Sequence, residues 1–591
     1  MKSLLLYLVL VAQFTFGQAV SLNKTWSTYY GDGYTLANTA AVDKVGNLYV
    51  VGTIKGSNSN GAFTTTTNAH QTQYGGGTYD GFITKFSPDG QVVWATFLGG
   101  TGNEVIENIS IDNFNNLYIS GTTSSANNIA TSGSYRPNLV GTLSSFFSKF
   151  TSNGQLVWST YYVSYGSSIV FAVGDNTFLT NTSLTCDSND NIFIISLTEE
   201  DNQATANTFQ FNRQTAKSIV SKFSPLGERI WSSYYGINES NLSGLCVNET
   251  GLYISGRSNS CTQPNSNYFA TPNCYQSENY GECGVPFITK FNLIGQREWS
   301  TYFGGNNILD DTIYKNSIKC FGTSIYFVGL TASNTNISTV GSFQESKDFY
   351  QCNYLIKFNS NGEKVWGTYY GLNILDNYLA LQNKLDLDNV GNIIISGVTN
   401  FQNNISTPGC FQNSIVPVLS TFNLDSYLIK FNPQGERLWG TYFGGVNPEY
   451  FASAVPYNDY FYLIGTTQST IGISNSNGIQ PNFNSNGVVD YYDSNVFLTR
   501  FDPIALTTTT FNENLFSIYP NPSSGYFIVS LKDNVLENRF LELFDTVGKK
   551  IMEQKLSNSE TIVKTDNLSK GVYLVKINLE NDVFTKKIII D

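Results

Sequence analysis

The sequence predicts an all-β protein, a seven-bladed β-propeller closed by its own N-terminal strand, followed by a small C-terminal β-sandwich. Three observations carry this prediction. Seven tryptophans, Trp26, Trp94, Trp158, Trp231, Trp299, Trp366 and Trp439, recur at intervals of 64 to 73 residues. A basic residue followed by Phe precedes six of them at one fixed distance, with the Phe eight positions before the Trp and a Gly four before it. The composition fits: 37 Tyr, 41 Phe and 51 Gly with only 13% charged residues suit many short strands joined by Gly-rich turns. A period of this length marks a repeat architecture.

Each blade element follows in order. The pairs Lys85-Phe86, Lys149-Phe150, Lys222-Phe223, Lys290-Phe291, Lys357-Phe358 and Lys430-Phe431 end one strand, and the Trp lies on the next. Gly90, Gly154, Gly227, Gly295, Gly362 and Gly435 close the tight turn between them. A second hairpin follows each Trp strand, as in Ala41-Val42-Asp43 to Gly46-Asn47-Leu48-Tyr49 and Leu387-Asp388 to Gly391-Asn392-Ile393-Ile394. Four strands per period make one blade. The basic residue, next to a buried Phe, points to the opposite face of its strand and is expected in a blade-edge ion pair. A buried Trp removes ~150–250 Å² from water, an upper bound of ~4–6 kcal/mol per blade.

The ends of the array set the count. A seventh pair, Arg500-Phe501, has no Trp after it, while Trp26 has no Phe strand before it. The N-terminal strand is therefore expected to complete the last blade and leave no unpaired edge. The propeller is assigned to residues 24–505.

These residues resemble the bacterial β-propeller repeat family called SBBP. The resemblance rests on Gly75-Gly76-Gly77, Asp80-Gly81-Phe82-Ile83-Thr84-Lys85-Phe86, Asp89-Gly90, Trp94, Gly99-Gly100 and Gly121-Thr122-Thr123, repeated along the array. Asp80 recurs only at Asp425, with Ser144, Lys217, Val285, Cys352 and Asn495 at the equivalent places. The family implies a fold and names no ligand.

Because strands alternate in direction, the short turns share one face and the long connections, with the crossovers, share the other. That loop face is the default binding surface. It carries Tyr74, Tyr79, Tyr135, Tyr268, Tyr275, Tyr280, Phe343, Phe349, Phe411, Tyr491 and Tyr492. One aromatic recurs at a fixed place, at His70, Tyr135, Phe209, Tyr275, Phe343 and Phe411, as a loop anchor would. The lone His70 is thus read as structural. Paired carboxylates among Glu104, Asp310, Asp311, Asp376 and Glu449 are the remaining enzymatic option. Residues 187–191 and Asp386-Leu387-Asp388 imitate the start of a calcium loop, but the closing Glu is missing and Asx turns explain them.

No nucleophile elbow, phosphate loop or dinucleotide fingerprint occurs. No catalytic residue, cofactor or metal ligand is assigned. A net charge of -12 argues against nucleic acid as a partner. Eight cysteines allow disulfides, with Cys261, Cys274 and Cys283 crowding one segment and Cys274 with Cys283 the preferred pair.

Residues 1–18 read as a secretory signal: Lys2, an apolar stretch over 4–11, and the small Gly17 and Ala19 near the cleavage zone. The stretch is too short to span a bilayer. At the other end, residues 506–514 form a Thr- and Asn-rich linker. Residues 515–591 then alternate apolar strands with turns, as a small sandwich does. Tyr519, Pro520, Asn521, Pro522 and Gly525 open this module. The turn 545–549 containing Gly548, then Gly571 with Tyr573, and the terminal Lys586-Lys587-Ile588 follow. In this order the motifs resemble the type A sorting domain of the type IX secretion system. That resemblance implies a partner in the outer-membrane secretion machinery and delivery to the surface or exterior of a two-membrane bacterium.

The expected function is non-catalytic binding of, or adhesion to, a polysaccharide or protein partner through the loop face. The alternative is a secreted polysaccharide hydrolase or lyase using loop-face carboxylates.

Overall fold

The computed structural model describes residues 22–503 apart from 32, 34, 57–62, 166–181, 239, 259–266, 279–283, 306–311, 348–350, 372–382, 401, 403–404, 417–423 and 486–492. In the tail it describes 516–591 apart from 532–538, 546–548, 557 and 580–581. The signal segment 1–18, the linker 506–514 and Gly548 lie outside the described residues. The chain divides into two compact units, Met1–Pro503 and Ile504–Asp591.

The first sheet shows how the repeat folds. Thr35–Val42, Leu48–Lys55, Tyr79–Phe86 and Val92–Leu98 pair antiparallel in sequence order. Asp43 sets the first turn, its Oδ1 accepting from the Val45 and Asn47 N–H groups at 3.0 and 2.9 Å, with Gly46 at φ +89°. Asp112, Asp187 and Asp388 do the same in other sheets, so the calcium-like run 187–191 is an Asx turn. The second and third strands are buried on both faces because a neighbouring sheet covers each side.

Six more four-stranded antiparallel sheets follow among the described residues. They begin at Glu104–Ile111, Ser183–Cys186, Asn241–Asn248, Thr312–Phe321, Lys384–Leu387 and Glu449–Tyr457. The seventh sheet draws its outer strand from the other end of the unit: Leu22–Tyr30 pairs with Asn495–Pro503. Trp26 stands opposite Arg500, the register that sets Trp94 opposite Lys85 and Trp231 opposite Lys222.

A repeated contact joins consecutive sheets. Six of the seven Trp indole N–H groups donate to a carbonyl in the Gly turn of the next sheet: Trp26 to Pro88, Trp94 to Ser152, Trp158 to Pro225, Trp231 to Leu293, Trp299 to Ser360 and Trp366 to Pro433, all at 3.0–3.2 Å. The turn Gly lies against the ring; a Cβ on Gly90 would stand 2.8 Å from Trp26, and one on Gly154 the same from Trp94. Glycine is required there twice over, by this approach and by a φ near +84°. Trp439 differs because the seventh sheet has no Gly turn to offer, and its ring stacks on Phe461 at 5.4 Å instead. Seven hydrophobic clusters among the described residues each span two sheets, and one joins the seventh to the first through Trp26, Tyr462, Leu48 and Phe82.

The tail is a separate two-layer unit. A three-stranded sheet, Phe516–Tyr519, Tyr526–Leu531 and Glu560–Lys564, packs on a four-stranded one built from Lys550–Lys555, Arg539–Phe544, Gly571–Leu579 and Asp582–Ile590. Phe527, Val529, Leu541, Val575 and Ile588 fill the space between the layers.

Candidate functional site

The first strands of all seven sheets face a common cavity of about 120 Å³, to which they contribute Thr39, Asn108, Thr185, Cys246, Lys319, Asp386 and Ser453. Asp386, read from sequence as a turn residue, lies on the strand Lys384–Leu387 and pairs with Lys319 at 3.2 Å, raising the lysine's pKa.

The carboxylates weighed for catalysis fall elsewhere. Asp310, Asp311 and Asp376 lie outside the described residues. Glu104 and Glu449 begin the first strands of the second and seventh sheets and are fully buried. Each meets an aspartate of the preceding sheet: Glu104 meets Asp80, and Glu449 meets Asp425. A Cβ on Gly99 would stand 2.6 Å from both Asp80 Cγ and Glu104 Oε2, and one on Gly444 would stand 2.5 Å from Asp425 Cγ and Glu449 Oε2. Thr123 donates to Glu104 at 2.6 Å, and Thr467 to Glu449 at 2.8 Å. Burial lifts the Asp80 pKa to about 7 and that of Asp425 to about 6, and raises both glutamates. Both pairs share a spacing of 24 residues, the signal by which sequence reading could have found them. They lie buried where consecutive sheets meet.

The repeated basic residue does form an ion pair, inside its own sheet rather than at a blade edge. Lys85, Lys149, Lys222 and Lys430 reach the turn aspartates Asp43, Asp112, Asp187 and Asp388 at 2.9–3.8 Å.

Most of the described loop aromatics are held by neighbours. The long connection of each sheet returns along its outer strand, with Thr66 donating to Ala95 O and Thr131 to Ser159 O; Asn475 donates likewise to Ser27 O on the N-terminal strand. This covers the outer edge. His70, Tyr135, Phe209, Tyr275, Phe343 and Phe411 each pack on the Phe of the next sheet's Lys/Arg-Phe pair, with ring centroids 5.2–6.0 Å apart. Burial lowers the His70 pKa. A cation lies over five of these rings: Arg229 over Tyr135, Arg297 over Phe209, Lys364 over Tyr275, Arg437 over Phe343 and Lys24 over Phe411. Tyr74 and Tyr268 pack on Phe97 and Phe269, and Tyr79 is half-buried. Tyr280, Phe349, Tyr491, Tyr492, Cys261 and Cys283 lie outside the described residues, so the Cys274 pairing does too.

Solvent reaches concave surface at the rim, where two sheets meet. One groove of about 460 Å³ is bounded by the loop 131–135, Val157 and Trp158, and the turn 226–228 of the next sheet. A second, of about 430 Å³, has the same parts from the repeat: the loop 339–343, Val365 and Trp366, and the turn 434–436. One residue distinguishes open junctions from closed ones. Gln155 and Gln296, just after their turn glycines, bridge to the facing loop at Asn68 O and Asn207 O, while Trp94 and Trp231 beneath stay 7% and 5% exposed. At Trp158, Trp299 and Trp366 the equivalent residues are Glu228, Glu363 and Glu436. A carboxylate cannot donate to a carbonyl, and these three rings are partly exposed. Sequence reading did not single out this Gln/Glu alternation.

Among the described residues no group of three or more His, Cys, Asp or Glu is placed to hold a metal ion. No helix among them is long and apolar enough to cross a membrane. In the tail, Asn521 ties the opening motif to the last strand, donating to Lys587 O at 3.0 Å and accepting from Ile589 N–H at 2.9 Å. Tyr519 donates to Glu560, and Tyr573 to Ser569 O. Gly525 takes φ +81°.

Residues 517–591 match the family of secretion system C-terminal sorting domains. An uncharacterised WD repeat-containing protein of Acanthamoeba polyphaga mimivirus is 26% identical over 192 residues, 31% of this chain and 12% of that protein's length. Among solved structures, a protein of unknown function from Dyadobacter fermentans is 7% identical, covering 82% of this chain and 99% of its own, with a TM-score of 0.35. The phage phi92 endosialidase is 11% identical, covering 98% and 89%, with a TM-score of 0.33. The sorting tail makes this chain an exported one, carried by type IX secretion to the cell surface or beyond.

Proposed function

We propose that residues 22–503 form a closed seven-bladed propeller of the SBBP type that binds a surface or extracellular polysaccharide without cleaving it. Closure is supported by the N-terminal strand in the seventh sheet, by Trp26 on the turn of the first, and by the cavity that all seven first strands line. The binding reading is carried by one observation: Glu104 and Glu449 are buried in sheet junctions, while the open concave surface lies in repeated rim grooves. A propeller fold alone decides neither binding nor catalysis.

The test is a polysaccharide pull-down with the secreted protein, scoring retention and release of reducing ends. Retention without release is expected. Release of reducing ends would assign the hydrolase or lyase activity instead.

A further inference from the structure

The two open grooves differ from their closed counterparts in ways that a ligand would explain. Over Gly133 and Gly341 nothing approaches within 4 Å of where a Cβ would stand, and both take a positive φ that the closed Trp231 junction fills with Asn207. The next residues, Ser134 and Ser342, have buried hydroxyls, closed off from the groove, with no hydrogen-bond partner among protein groups. In the closed Trp231 junction the equivalent Thr208 donates to Thr205 O at 2.8 Å and Ser232 O at 3.1 Å. Each open groove thus combines a partly exposed indole and a carboxylate at its mouth. The exposed Val157 and Val365, at 50% and 49%, extend the apolar floor.

We infer that the Trp158 and Trp366 grooves are a matched pair of binding sites for single hexose units of a neutral polysaccharide. A pyranose presents an apolar C–H face that rests on the indole and valine. Its hydroxyls donate to Glu228 or Glu436 at the groove mouth. The volumes suit one or two sugar rings. A carboxylate at each mouth and a net charge of -12 select against acidic sugars. Two like sites on one rigid ring let a long chain bind by avidity where a single unit binds weakly. This inference rests on the binding reading above and specifies its ligand.

The experiment is calorimetric titration of the full secreted chain with cellohexaose, laminarihexaose and mannohexaose, using trigalacturonate as the acidic control. Two equivalents of one neutral hexaose per chain are expected. E228Q and E436Q should each remove one equivalent, because the new amide bridges to the loop carbonyl as Gln155 does. The double variant should weaken binding at least tenfold with its thermal midpoint kept or raised. V157S with V365S is a second probe, expected to weaken binding several-fold without loss of stability, since both side chains are half exposed. Absence of binding by every neutral hexaose, tighter binding of trigalacturonate, or titration of the double glutamate variant like wild type would overturn the inference. In the last case, retention of polysaccharide by that variant would leave the binding reading standing. Reducing-end release by wild type would overturn the binding reading itself.

Discussion

Trp231 and Trp439 occupy the same place in the repeat and bond differently, which separates two contributions of the residue. Trp231 fills a sheet junction and donates its indole N–H to Leu293 O; Trp439 stacks on Phe461. Replacing Trp231 by Ala should cost ~3–5 kcal/mol, read as the loss in thermal or denaturant unfolding. Trp231→Phe keeps a ring but orphans that carbonyl, for about 1 kcal/mol beyond the packing loss, a surcharge Trp439→Phe should lack. Equal losses at the two sites would show that the indole bond contributes nothing. The buried carboxyl pairs add a pH dependence. Asp80 holds its proton to about pH 7 when folded and loses it near pH 4 when unfolded. The folded chain therefore binds more protons between those values, and stability falls as pH rises through that window. Asp80→Asn removes the ionisation and lets its amide donate to Glu104. The variant should gain about 1–2 kcal/mol at pH 8 and little at pH 4, measured by chemical unfolding at both.

At the scale of elements, the repeat was legible because the same contact uses each Trp, turn Gly and Phe at successive junctions. The N-terminal strand was legible for the same reason, since a Trp strand without a Phe strand implies a partner elsewhere. Lys24 over Phe411 and Asn475 on Ser27 show that strand taking every role of an outer strand. The Gln/Glu alternation was not legible, because it acts across a junction and acquires meaning only once the facing element is known; the Asp–Glu pairs left one trace in the sequence, their shared 24-residue spacing. The Lys partners were misplaced for a similar reason: strand alternation gives a side chain's face, and the turn that meets it comes from the fold. The strand's role can be tested by removal. A mature chain beginning at residue 31 should lose more stability than Trp231→Ala, since strand pairing, Trp26 and the edge cover go together. A synthetic peptide of residues 22–30 should restore part of the loss by pairing with Asn495–Pro503. Unchanged thermal unfolding after truncation would assign closure to the remaining sheets.

At the scale of the whole molecule, the chain has two units with separate cores, and the smaller one provides export. The tail's opening motif and its last strand are stitched together: Asn521 bonds at Lys587 and Ile589, Ser523 N–H donates to Ile589 O, and Asp591 N–H donates to Ser523 O. The terminal strand also supplies Ile588 and Ile590 to the tail's core. Recognition by the secretion machinery is therefore expected to require a fold that the strand Asp582–Ile590 completes. Asn521→Ala, which removes both side-chain bonds, should loosen that edge by about 1–2 kcal/mol, and deletion of residues 587–591 should unfold the tail. Fractionation of the producing cell provides the readout. The deletion should trap the chain in the periplasm, and Asn521→Ala should slow its appearance outside. In both cases the trapped protein should retain the thermal midpoint of residues 22–503, because none of the altered contacts belongs to that unit. A trapped protein with a lowered midpoint would mean that the tail also supports the fold of the larger unit, and efficient release of the deletion variant would show that the machinery reads the opening motif without the last strand.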